Sequence, residues 1–154
     1  MKRILSLLLA FSTCQAKSIV TEDLVHKVGI IESNLNTKAI GDDGDSLGAF
    51  QISRRCWADA VAYSRLTAGP HDVTLPESWK DWAHDYDTSH IAATLILKMH
   101  EERMLKNKIK PTPFKLYMAY NMGFIGAAQH GFDINQTWGM RRAILVRAQT
   151  ILSR

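Results

Sequence analysis

The 154-residue sequence predicts a mainly α fold, one helical domain carrying a glycine-rich loop or small hairpin. Three observations predict it. Apolar residues recur at helical spacing in several separate segments, and no run outside the glycine loop alternates as a half-buried strand would. Gly41, Gly44 and Gly48 are interleaved with Asp42, Asp43 and Asp45, and glycine supplies backbone conformations that other residues avoid while aspartate closes local turns. The length suits a single ordinary domain with a core and leaves no room for a second.

The start of the chain reads as a leader. Met1-Lys2-Arg3 followed by the apolar run Ile4 to Phe11 has the charged and hydrophobic regions of a secretory signal peptide, and the run is too short to span a bilayer. Ala16 suits the last residue before cleavage, with Cys14 two positions earlier; Phe11-Ser12-Thr13 is a poor lipobox, and an uncleaved anchor is the other alternative. The expected domains are therefore a signal peptide over 1–16 and one folded domain over 17–154. Losing Lys2 and Arg3 lowers the formal charge from +4 to +2, a weak match to an anionic polymer. Cys56 alone then remains, so no internal disulfide is expected, and beside Trp57 it reads as a buried apolar residue.

The first helix has Thr21 as a natural N-cap and Glu22 and Asp23 in its first turn, where negative charge complements the helix dipole. Leu24, Val28 and Ile31 form its stripe, Val25 widens it, and Asn34 and Asn36 end it. Glu32 shares that stripe, at i+7 from Val25 and i+4 from Val28. A carboxyl on an apolar face loses hydration when ionised, so its pKa rises and it keeps a proton near neutral pH, as a general acid must. A frayed glutamate turned to solvent is the plainer reading. The following D-D-G-D loop does not fit the alternating pattern of an EF-hand, and no metal is expected there.

A second helix is expected over Ser53–Leu66 with Trp57, Ala60 and Val61 inward, stopped by Gly69-Pro70. From Arg65 to Asp85 the chain reads as an irregular excursion, in which Trp79 and Trp82 either line a sugar cleft or, as is commoner, plug the core. His84, Asp85, Asp87 and His90 lack tight ligand spacing; Asp87 or Thr88 caps the next helix and the histidines lie on its surface. That helix, Ser89–Lys106, should be central, with Ile91, Leu95, Ile96 and Met99 inward and Lys98, Glu101, Glu102 and Arg103 outward. The basic run Lys106–Lys110 has no interleaved aromatics and reads as a solvated loop, with no nucleic acid implied. Phe114–Asn121 is the next helix, bent by Gly123 and Gly126, and a last helix, Met140–Leu152, turns Ile144, Ala148 and Ile151 inward.

Glu32-Ser33-Asn34, then Ala39, Gly48-Ala49-Phe50-Gln51-Ile52 and, about 65 residues later, Ala119-Tyr120-Asn121-Met122-Gly123 together resemble the signature of the goose-lysozyme-like (soluble lytic transglycosylase) family. Its pattern is E-S, a loop, G-L-M-Q-I and a distant A-Y-N-A-G, from which Phe50 and Met122 depart. The resemblance runs from about Leu24 to Gly123. It implies an α+β lysozyme-like fold, with the glycine loop beside an active-site cleft, that cleaves the β-1,4 bond between N-acetylmuramic acid and N-acetylglucosamine. Glu32 would be acid and then base, without a cofactor, releasing a 1,6-anhydro product. By the same resemblance Tyr120 is a hydrogen-bonding partner of Glu32; Ser33, Gly48, Gln51, Ile52 and Asn121 bind the glycan or hold the acid. From the residues alone, Tyr120 and Asn121 read equally well as a core tyrosine and a helix end. A goose-type lysozyme, hydrolysing the same bond with water, needs a second carboxylate: Asp42 falls near one acid of those enzymes, and Ser53 stands where another would be. A wall-binding protein without catalysis is the reading from a different class. The expected partner is the peptidoglycan glycan strand, met by a monomer in the periplasm or outside the cell, whether or not it serves a secretion or phage assembly.

Overall fold

A computed structural model describes residues 17–69 and 74–154, and among these it shows six α-helices, two single-turn 3-10 helices and one small sheet. The leader over 1–16 and the helix stop at Pro70 lie outside the described residues. Helix α1 is Glu22–Ser33, with the Thr21 hydroxyl accepting from the Leu24 amide and Asn34 ending it in the left-handed region at φ 56°. Leu24, Val25, Val28 and Ile31 are all buried, each contributing about 1.5–3 kcal/mol. The stripe that carries Glu32 therefore packs inward, against α4 (Tyr86–Lys106) and α6 (Gly139–Leu152).

The glycine loop is a three-stranded antiparallel sheet of very short strands, β1 (Ile40–Gly41), β2 (Ser46–Leu47) and β3 (Ile52–Ser53), in that order. Ile40 lies opposite Leu47, and Leu47 opposite Ile52. Asp42 and Asp43 turn the first hairpin at φ 49° and 54°, a region aspartate tolerates better than most side chains. Gly48, at φ 75°, opens the second. A Cβ there would meet the Ala83 carbonyl oxygen at 1.8 Å, so glycine lets this loop lie directly on the segment before α4.

Ser53 caps α2 (Arg54–Thr67), its hydroxyl accepting from the Cys56 amide. Trp57 Nε1 donates to the Pro76 carbonyl at 2.9 Å, and Trp79 Nε1, from the single-turn α3 (Trp79–Trp82), donates to the Ile52 carbonyl at 2.8 Å. These indoles satisfy their polar edge on backbone and bury the rest, as the core reading expected; Trp82 is exposed.

Helix α4 starts earlier than expected because Asp85, not Asp87 or Thr88, caps it, accepting from the Thr88 amide at 2.8 Å. Its inward face also differs. Ala92, Ala93, Ile96, Leu97, His100, Glu101 and Met104 are buried, while Ile91 is exposed and Leu95 and Met99 are half-buried. The helix packs against α1, α2 and α5 (Pro113–Gln129) at once, and the small Ala92 and Ala93 are completely buried on it. Glu101, expected to be solvated, accepts from the Ser18 hydroxyl and, at 2.8 Å, the Ile19 amide.

Helix α5 runs past the expected end at Asn121. Gly123, at φ 74° and ψ 154°, breaks its regularity there, whereas Gly126 continues the helix. In α6, Leu145 joins Ala148 as the buried pair and Ile144 and Ile151 are half-buried.

Candidate active site

Glu32, one residue from the end of α1, lines a cavity of about 270 Å³ together with Asp42, Gln51, Ile52, Tyr120 and Asn121. The end of α1, the sheet and the middle of α5 thus meet at one cavity, which Ile144 of α6 also lines. Ser53 also lines the cavity while capping α2. Cys56, expected in the core, is half-buried and faces this space.

Two residues expected to bind substrate stand behind the wall. The Ser33 hydroxyl donates to the Ala49 carbonyl at 2.7 Å and accepts from the Asn36 amide at 2.9 Å, pinning the sheet loop to the end of α1. Gly48 is used by its contact with Ala83. Gln51 spends its amide on its own loop, donating to the Gly48 carbonyl at 2.9 Å.

The partner of Glu32 is a different tyrosine from the one expected. Tyr117 donates its hydroxyl to Glu32 Oε1 at 2.8 Å, whereas Tyr120 donates to the Phe50 carbonyl at 2.8 Å. Both lie on one face of α5, a turn apart; the completely buried Tyr117 is level with the end of α1, and Tyr120 is level with the sheet loop. The Asn121 side chain also reaches Glu32. Arg147 adds a charge that sequence reasoning passed over, and its guanidinium donates to the Ile31 carbonyl, tying α6 to the end of α1. Tyr117 was findable as the residue i−3 and i−4 from the Tyr-Asn pair; Arg147 looked like any exposed helix cation.

Burial raises the Glu32 pKa from 4.5 to about 7. Hydrogen bonds from Tyr117 and Asn121 and the charge of Arg147 oppose that rise, and the charge of Asp42 adds a smaller upward push. Burial and the neighbouring carboxylate push the Tyr117 hydroxyl far up, so it remains a donor at ordinary pH. Asp42 is exposed, and its Oδ2 accepts from the Ser46 hydroxyl at 2.8 Å. One carboxyl can therefore hold a proton at neutral pH in a cleft that a second acidic side chain, Asp42, also lines.

The histidines and acids around the start of α4 form no metal cluster among the described residues, and three of them are separately engaged. His84 Nδ1 meets the Thr37 carbonyl at 2.7 Å, Asp85 caps α4, and His90 Nε2 lies 3.1 Å from Glu22; both histidines are half-buried and not on the surface. A larger groove, about 610 Å³, runs past Arg54, Arg65 and Lys80, but its acid, Glu77, is paired to Arg65.

No protein-family model, no curated protein and no solved structure matches this chain.

Proposed function

We propose that this protein is a peptidoglycan lytic transglycosylase with a lysozyme-like fold. It cleaves the β-1,4 bond between N-acetylmuramic acid and N-acetylglucosamine and closes the muramoyl unit into a 1,6-anhydro ring. The observation that carries the reading is Glu32, a carboxyl protonated up to about pH 7 in the wall of an open cavity. Cleavage needs a proton on the leaving glycosidic oxygen and relief of the oxocarbenium-like centre that follows. Protonated Glu32 supplies the first. The resulting carboxylate, held by Tyr117 and Asn121, then draws the proton from the muramoyl 6-hydroxyl as that oxygen attacks the anomeric carbon, which returns Glu32 to its starting state. Gln51, Tyr120 and Asn121 line the space where the sugars would lie. The leader read in residues 1–16 accords with export to the periplasm or beyond, where the wall is.

Hydrolysis by a goose-type mechanism is the second reading, favoured by one observation: Asp42 shares the cavity, so a carboxylate is available to orient a water. The two give different products. Purified protein and its Glu32→Gln counterpart are incubated with sacculi, and released muropeptides are weighed. Products one water lighter than reducing sugars, absent when Glu32 is replaced, are expected. Ordinary reducing ends make the enzyme a hydrolase, and equal release by the two proteins leaves a wall-binding role.

A further inference from the structure

Trp138 is the most exposed of the four tryptophans, at 76 %, and it stands at the N-cap of α6 with its ring 5.6 Å from that of His130, tilted 43°. Leaving an indole in water forgoes a large burial gain, so a tryptophan held open beside a cavity invites a flat apolar occupant. Such a cavity is there. About 300 Å³ in volume, it is lined by Trp138 and His130 together with Met122 and Arg141.

Its walls belong to the helices that also build the Glu32 cavity. Met122 follows Asn121 on α5, and Arg141 lies one turn before Ile144 on α6. Arg141 Nη1 reaches the Asn121 carbonyl at 3.5 Å, so the backbone of a Glu32-cavity residue is contacted from the neighbouring one. The two spaces follow one another along the α5–α6 seam, as successive sugars of an extended strand would require.

We infer that the Trp138 cavity is a further saccharide subsite of the same cleft, the indole stacking on the apolar face of a pyranose ring and Arg141 meeting its acetamido or carboxylate oxygens. This rests on the reading that the Glu32 cleft takes a glycan. Aromatic faces match the C–H face of a pyranose, and the planar guanidinium fork matches a carboxylate such as the lactyl group of a muramoyl residue. The exposed Ile125 and Met140 would also suit a protein partner, but the two helices shared with the Glu32 cavity, and the Arg141 contact to Asn121, favour the strand.

The test measures binding without cleavage. In the Glu32→Gln background, a peptide-free hexasaccharide of alternating N-acetylglucosamine and N-acetylmuramic acid is titrated by calorimetry, then again after Trp138→Ala and Trp138→Phe. The alanine variant is expected to bind about tenfold more weakly, with the phenylalanine variant recovering part of the loss. Thermal melts confirm that each variant folds. Affinity within twofold of the parent in Trp138→Ala, or no hexasaccharide binding by the parent, overturns the subsite; the first of these leaves the patch to a protein partner. Because the readout needs no catalysis, a protein that binds in this way yet never cleaves sacculi sinks the transglycosylase reading and leaves the subsite standing.

Discussion

Glu32 and Glu101 are carboxylates withdrawn from water on helices of the same body, and their surroundings use them differently. Glu101, 8 % exposed, has one oxygen on the Ser18 hydroxyl and the other on the Ile19 amide, so it fastens the segment before α1 across α4. Glu32 faces open space, is reached by Tyr117 and Asn121, and has its pKa raised to about 7 by burial. A buried carboxylate with backbone and hydroxyl donors is a fastening. One that is desolvated yet open to a cavity is a proton store.

The largest effect that could break this contrast is on turnover. Glu32→Gln removes the proton and should lower glycan cleavage by about 10³-fold, read as muropeptide release. The same change should raise stability, and only at higher pH. A carboxyl at about 7 in the folded state and 4.5 in the unfolded chain carries no penalty below 4.5; the penalty grows as pH rises between the two and is complete above 7. Denaturant melts at pH 8 should therefore show the glutamine protein more stable by up to about 3 kcal/mol, and at pH 4 the gain should vanish. Equal stability at both values would mean that Glu32 is hydrated like any surface acid.

Glu101→Gln should do the reverse. An amide group then faces the Ile19 amide or the Ser18 hydroxyl, and stability should fall by about 1–3 kcal/mol in urea melts while turnover per folded molecule stays within twofold. A smaller effect sharpens the assignment of the tyrosines. Tyr117→Phe removes a bond that favours the ionised form, so Glu32 keeps its proton to higher pH, and the alkaline fall in activity should move up by as much as about one pH unit. Tyr120→Phe, which loses a bond to Phe50 instead, should leave that limb where it is. Smallest of all, Asp42→Asn lifts a minor repulsion and should move the limb down by roughly a few tenths of a pH unit. A loss of a hundredfold or more on that substitution would instead mark Asp42 as the water-orienting carboxylate of a hydrolase.

Much of this was legible in the chain because it is written locally. Thr21, the apolar stripe and Glu32 on it all follow from spacing within one helix, and Gly41 to Gly48 announced a turn-rich element although not three strands. What was not legible depends on neighbours. Large side chains made Ile91, Leu95 and Met99 look like the inward face of α4, but a helix packed against three others buries the small Ala92 and Ala93 completely. Tyr117 and Tyr120 share a face, and only the height of α1 against α5 decides which hydroxyl reaches the carboxyl. Arg147 gave no sign at all.

The bonds that assemble the site join distant parts of the chain. Arg147 and Ile31 are separated by 116 positions, Tyr117 and Glu32 by 85, Tyr120 and Phe50 by 70. Closing loops of that length is entropically unfavourable until the intervening helices have condensed, so no fragment containing α1 and the sheet alone can set the acid at its working height. Completion of the Glu32 site is then a late event in folding, and under the proposed function glycan cleavage should appear during refolding together with the final cooperative step.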